Sequence, residues 1–105
     1  MSFKAIILLS RRADMTPEQF QSWWLAEHAP LAAQLPGVRR IVFNASDDTN
    51  DIDGISELWF DTQADFEAAY AGDVGVATAA DSMAHVSGRV RLFVTENEVT
   101  TTERS

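Results

Sequence analysis

Cysteine is absent from the 105 residues. Its absence excludes a disulfide framework, a thiolate nucleophile and a zinc–thiolate centre. Long apolar runs are missing as well, and none approaches the roughly 20 residues that span a bilayer. Basic residues are few, 8 against 16 acidic ones, for a net charge of −8. Phosphate backbones and anionic membranes attract basic patches, so neither nucleic acid nor membrane is an expected partner. No leader segment is read at the N-terminus, because the apolar run over 4–9 passes straight into Ser10-Arg11-Arg12. A cytoplasmic location is the default expectation. What the chain does have is apolar matter, 46% of residues with 10% aromatic, enough for the core of one domain. That domain is expected over 1–96, followed by a polar tail over 97–105.

The stretch 16–37, TPEQFQSWWLAEHAPLAAQLPG, organises the rest. Thr16 suits an N-cap, Pro17 the first helical position, and Gln19 the return contact of a capping box. Phe20, Trp24, Leu31 and Leu35 recur at helical spacing and predict one buried stripe. His28 lies on that stripe, four after Trp24, and Glu27 borders it. An imidazole on an apolar face loses hydration and needs a partner or a ligand. A core histidine satisfied by a nearby carbonyl meets that need, and so does a pocket histidine. Pro30 has no N–H, so the carbonyl of Ala26 loses its helical partner and a kink is expected near His28. Pro36-Gly37 stops the helix.

Strands are predicted over 3–10, 38–44, 55–60 and 90–96 from alternation. The first has apolar residues on both faces: Phe3, Ala5, Ile7 and Leu9 on one, Ile6 and Leu8 on the other. Helices can coat only one side of a small sheet, so a second copy is the simplest cover for the other. Arg11 and Arg12 read as a solvated loop or as an anion clamp at a pocket mouth. The loop 45–54 carries Asp47, Asp48, Asn50, Asp51 and Asp53, but Ile52 stands where a calcium loop needs glycine, so no metal is expected. On the third strand Glu57 shares a face with Trp59. If buried there, its pKa would be raised, as suits a general acid or base. Thr62 caps a second helix with Phe66, Ala69 and Tyr70 on its apolar face. Residues 73–84 form a further helix with Val76, Ala80 and Met83 expected inward, and His85 follows as a loop residue. The order predicts an α+β, ferredoxin-like βαββαβ fold with one antiparallel sheet.

These residues together resemble the EthD family of small dimeric α+β barrel proteins. The resemblance runs from Phe3 to Glu96. It rests on Met15-Thr16-Pro17-Glu18-Gln19-Phe20, Trp24 with His28-Ala29-Pro30-Leu31, Leu35-Pro36-Gly37, Glu57-Leu58-Trp59-Phe60 and Phe93-Val94-Thr95-Glu96. It implies a homodimer with two sheets facing each other, a pocket between sheet and helices in each subunit, His28 as the pocket histidine and Trp59 as a wall. Relatives include methylmuconolactone methylisomerases, and the wider barrel class holds cofactor-free monooxygenases. Where those isomerases have a tyrosine early in the second strand, this chain has Ile41, which offers no proton.

The expected function is a small cofactor-independent enzyme, an isomerase or oxidoreductase acting on an apolar, aromatic or lactone substrate. His28 is its catalytic acid or base. Trp24, Trp59, Phe20, Ile41, Phe43, Glu57 and Arg11 are its substrate-binding candidates. No metal or organic cofactor is expected. The alternative is a non-catalytic carrier using the same pocket. A structural dimer with a filled pocket and a haem-binding protein rank behind these, since no second haem signature is visible.

Overall fold

The computed structural model describes residues 2–47 and 51–100. The sheet consists of β1 (Phe3–Arg11), β2 (Arg40–Ala45), β3 (Gly54–Phe60) and β4 (Val86–Val94), all antiparallel, in the order β2-β3-β1-β4. Between β1 and β2 run α1 (Pro17–Trp23), a π turn (Trp24–His28) and α2 (Ala29–Ala32). Between β3 and β4 run α3 (Gln63–Ala71) and α4 (Asp73–His85). This is the ferredoxin-like α+β arrangement expected from the order of elements. Residues 48–50 of the acidic loop lie outside the described residues, and so do tail positions 101–105.

Register sorts the strand residues into two faces. Ala5 lies opposite Leu58 and Phe93, Ile7 opposite Ser56 and Arg91, and Leu9 opposite Gly54 and Arg89. With Ile41 and Phe43 of β2, opposite Leu58 and Ser56, these form the helix-facing side. There Ala5, Ile7, Leu9, Leu58 and Phe60 pack with Phe20, Trp23, Trp24, Leu35 and Phe66 in one core. The alternate positions, Ile6, Leu8, Val42, Ile55, Trp59, Val90 and Leu92, face away from the helices. Val90 and Leu92 are 50% and 44% exposed there. Both sheet faces are thus apolar, and the chain's own helices cover one of them.

Several boundaries differ from the sequence expectation. β1 reaches Arg11, and β2 spans Arg40–Ala45 rather than 38–44. β4 begins at Val86 rather than Val90, because Arg89, Gly88 and Val86 pair with Leu9, Ser10 and Arg11, with Ser87 taken up in an irregularity at Ser10/Arg11. The expected inward face of α4 is wrong: Val76 and Met83 are 59% and 62% exposed and Ala80 is exposed too. The inward residues are Gly75, Thr78 and Ser82. Close approach selects small residues there. A Cβ on Gly75 would fall 2.2 Å from the carbonyl oxygen of Ala69 on α3.

The N-terminus of α1 forms as its sequence dictates. Thr16 Oγ1 accepts from the Gln19 N–H at 3.1 Å, and the Gln19 side chain accepts from the Thr16 N–H at 2.9 Å. Gly54 on β3 sets a second close approach, since a Cβ there would lie 2.6 Å from the Trp24 ring. Gly54→Ala is therefore expected to destabilise the fold by about 1–3 kcal/mol through overpacking. Urea unfolding monitored by circular dichroism would measure it, and an unchanged midpoint would contradict the contact.

A buried histidine–aspartate pair as the candidate functional site

The π turn follows from Pro30. In a continuous α-helix the Ala26 carbonyl would look for a donor at position 30, where there is none. The chain takes up an extra residue instead, and the Ala29 N–H donates to the Trp24 carbonyl, five residues back. The buried stripe shifts with it. Trp23, Trp24, His28 and Ala32 are buried, whereas Leu31, expected on the stripe, is only half-buried.

His28 is 5% exposed. Its Nδ1 lies 2.8 Å from Asp81 Oδ2 on α4. A carboxylate accepts, so the imidazole proton sits on Nδ1 and Nε2 is the ring's acceptor. Ser82 Oγ, 3.3 Å from Nε2, is its nearest hydroxyl donor. Asp81 also accepts from Trp23 Nε1 at 3.1 Å. His85, at the end of α4, stacks on Trp23 with ring centroids 4.2 Å apart, and its Nδ1 donates to the Asp81 carbonyl at 2.8 Å. Burial pushes the His28 pKa down; Asp81 opposes the shift, while His85 and Arg89 add to it. The ring is therefore neutral at pH 7, with a basic nitrogen turned to the interior.

His28 lines a small cavity of about 10 Å³ with Phe43, Ser56, Tyr70, Thr78, Ser82 and Arg89 among its walls. Such a space holds one water at most. Beside it an open apolar groove of about 280 Å³ is lined by Leu25, Ala29, Ala33, Ile41 and Phe43. Phe43 belongs to both, standing between groove and imidazole. It stacks on Trp24, with centroids 4.4 Å apart and planes 8° from parallel.

Of the residues singled out from sequence, His28 and Phe43 share the cavity and Ile41 lies in the groove. Trp24 and Phe20 are fully buried and support the site from the core; Phe20 packs on Trp23 and Trp24. Three expectations are corrected. Trp59 and Glu57 lie on the opposite sheet face from His28, because β3 presents Ser56 and Leu58 to the helices. Trp59 Nε1 donates to Glu96 at 2.8 Å, and Lys4 Nζ sits 4.5 Å from its ring centroid. Glu57 is not raised in pKa but lowered, by hydrogen bonds from Lys4 and then Asn44. Arg11 is bound to Asp53 at 2.8 Å and to the Met15 carbonyl at 2.7 Å, and it is not among the residues lining the His28 cavity. The sequence reading did not single out Asp81, Ser82, Trp23 or Arg89. The signal for the first two was the small-residue spacing Gly75, Thr78, Ser82, which brings their turn of α4 toward the first helix.

A four-stranded antiparallel sheet with one helical layer and an interior imidazole under its first helical arm defines a small α+β protein of ferredoxin-like fold. The EthD domain model matches residues 12–88, and the chain belongs to the EthD family. It is 28% identical over 103 residues to an uncharacterized 11.0 kDa protein in the thcB-thcC intergenic region of Rhodococcus erythropolis, covering 91% of this chain and 95% of that one. In fold it is similar to an EthD family protein of Bacillus halodurans, with TM-score 0.82 and 22% identity over 92% of this chain and 100% of that one. A dimeric ferredoxin-like protein of Thermobifida fusca matches with TM-score 0.75 and 18% identity, over 91% and 92% of the two chains. SnoaB, a cofactor-independent oxygenase from Streptomyces nogalater, matches with TM-score 0.72 and 17% identity, over 93% and 95%. At these identities the three structures show the shared fold. No described helix is long and apolar enough to cross a membrane.

The depressed His28 pKa carries a pH signature. The unfolded ring titrates near 6.5 and the folded one below it. As pH falls through that window the unfolded chain binds more protons, so the His28 contribution to stability is present above about 6.5 and is lost below it. The melting-temperature advantage of the wild type over His28→Gln is expected to shrink between about pH 7 and pH 5. A constant difference across that range would show that the ring is not held neutral.

Proposed function

We propose that this EthD-family chain is a cofactor-independent catalyst that removes a proton beside a carbonyl group in a small apolar or aromatic molecule. His28 Nε2 is the base and Asp81 fixes its tautomer and orientation. The enolate formed then rearranges, as in an isomerase, or reacts with dioxygen, as in an oxygenase. The observation that carries this reading is the 2.8 Å contact between His28 Nδ1 and Asp81, which leaves Nε2 as the basic atom of a buried, water-poor space. SnoaB, of the same fold, is a cofactor-independent oxygenase. Substrate enters from the apolar groove when Phe43 rotates off Trp24, joining groove and cavity.

His28→Ala is expected to lower turnover by about 10²–10⁴-fold. Asp81→Asn, which offers the ring the wrong partner, should lower it as well while leaving groove binding intact. Screening lactones and hydroxylated aromatics by mass shift, with both variants beside the wild type, makes the measurement. Turnover undiminished in His28→Ala would end this reading. A carrier function has one observation in its favour: the groove is apolar and open while the imidazole is closed off behind Phe43. Saturable ligand binding without turnover of any candidate would select it.

The partner is a second copy of the chain, docked through the sheet face that the helices leave bare. Val90 and Leu92 project from that face, and the Thermobifida fusca neighbour of the same fold is dimeric. Leu92→Arg is expected to shift the protein from dimer to monomer in size-exclusion chromatography with light scattering. A dimer surviving that change would put the interface elsewhere.

A further inference from the structure

Arg89 projects from β4, opposite Leu9, toward the helix-facing side, and it lines the same cavity as His28. Its Nε is buried with no hydrogen-bond partner. Among the described residues it forms no ion pair, in a chain with twice as many acidic as basic residues. The contrast with its neighbours is specific. Arg11 has Asp53, Arg12 has Asp14, Arg39 has Asp61 and Lys4 has Glu57. Arg91 at least lies over the rings of Phe66 and Phe93. Arg89 is half-buried, and a guanidinium whose Nε is cut off from water without a counter-charge costs the fold free energy while staying charged at any ordinary pH. Tyr70, on the same cavity, is half-buried, and desolvation raises its pKa, so its hydroxyl remains a neutral donor.

We infer that Arg89 is the anion-binding residue of this site, holding the carboxylate of a small acidic substrate with the Tyr70 hydroxyl as a second donor. A guanidinium suits the planar geometry of a carboxylate. The closed space of about 10 Å³ holds one water, so the carboxylate reaches Arg89 only as Phe43 moves and opens the cavity to the groove. The ring or aliphatic body then lies in the Leu25–Ala29–Ile41 groove once Phe43 has moved. The role expected of Arg11 from sequence thus falls to Arg89. Carboxylate binding by Arg89 stands without the proposed base, and only the chemistry after binding rests on His28. Burial is the main cause of the lowered His28 pKa and Arg89 adds a smaller push, so a carboxylate on Arg89 is expected to raise the pH at which the imidazole titrates by a small amount.

Benzoate and its neutral counterpart benzamide test the inference on the intact protein, by calorimetry and by tryptophan fluorescence. Benzoate is expected to bind saturably and about tenfold or more tightly than benzamide, the factor a charge-assisted hydrogen bond supplies. Arg89→Gln should erase the preference and Arg89→Lys should keep part of it. Arg89→Met should melt at or above the wild-type temperature, since it removes an unpaired charge. The His28 ring proton resonance should titrate at higher pH with benzoate bound. Equal affinity for the two probes, no saturable benzoate binding, or unchanged benzoate affinity in Arg89→Gln would each overturn the inference. A large fall in the Arg89→Met melting temperature would do the same, by marking the residue as structural. Benzoate binding through Arg89 without turnover of any substrate would defeat only the proposed chemistry. His28-dependent turnover that persists in Arg89→Gln would defeat only the carboxylate assignment.

Discussion

One hydrogen bond, from the His28 imidazole to the Asp81 carboxylate, ties the two helical arms of this protein together over the sheet. It requires two backbone arrangements that the sequence supplies separately. The π turn ahead of Pro30 rotates His28 inward, and Gly75 lets α4 settle close to α3. A charge-assisted hydrogen bond of this kind contributes about 1.5–3 kcal/mol. It also fixes which ring nitrogen is basic, so the contact that holds the helices is the contact that sets the chemistry.

The sheet divides the molecule into two sides with different tasks. On the helix side β3 and β4 give up bulk or apolarity: Gly54 accommodates Trp24, Ser56 is a small polar residue beneath His28, and Arg89 replaces what would be an aliphatic wall. On the far side the same strands carry Ile6, Leu8, Val90 and Leu92, with Lys4, Glu57, Trp59 and Glu96 linked at one end. A one-residue register shift would exchange the two sides completely. That is why Trp59 and Glu57 can neighbour the helix-side residues in sequence and still belong to the other surface.

Much of the architecture was legible because it is local. The Thr16 cap, the strand alternation and the apolar character of both β1 faces follow from adjacent residues, and they led to the ferredoxin-like order and to His28 on a buried face. The disruption at Pro30 was legible too, but not its form. A π turn advances the stripe by one residue, which is why Ala32 replaces Leu31, while Trp23, ahead of the turn, is buried because it lies one helical turn after Phe20. The site's second half was hidden for a different reason. The inner face of α4 is small and polar, so a hydrophobic reading turned the helix the wrong way and left Asp81 and Ser82 unremarked. Arg89 was hidden because the last strand was expected to begin one residue after it, at Val90, so its pairing with Leu9 was not foreseen.

Asp81 serves two helices at once, accepting from Trp23 and from His28. Loss of the carboxylate strands two donors at once, the indole N–H and the imidazole N–H, at about 1–3 kcal/mol each. Loss of either ring alone leaves Asp81 one partner, so the lineage can vary the rings singly but can give up the carboxylate only together with both.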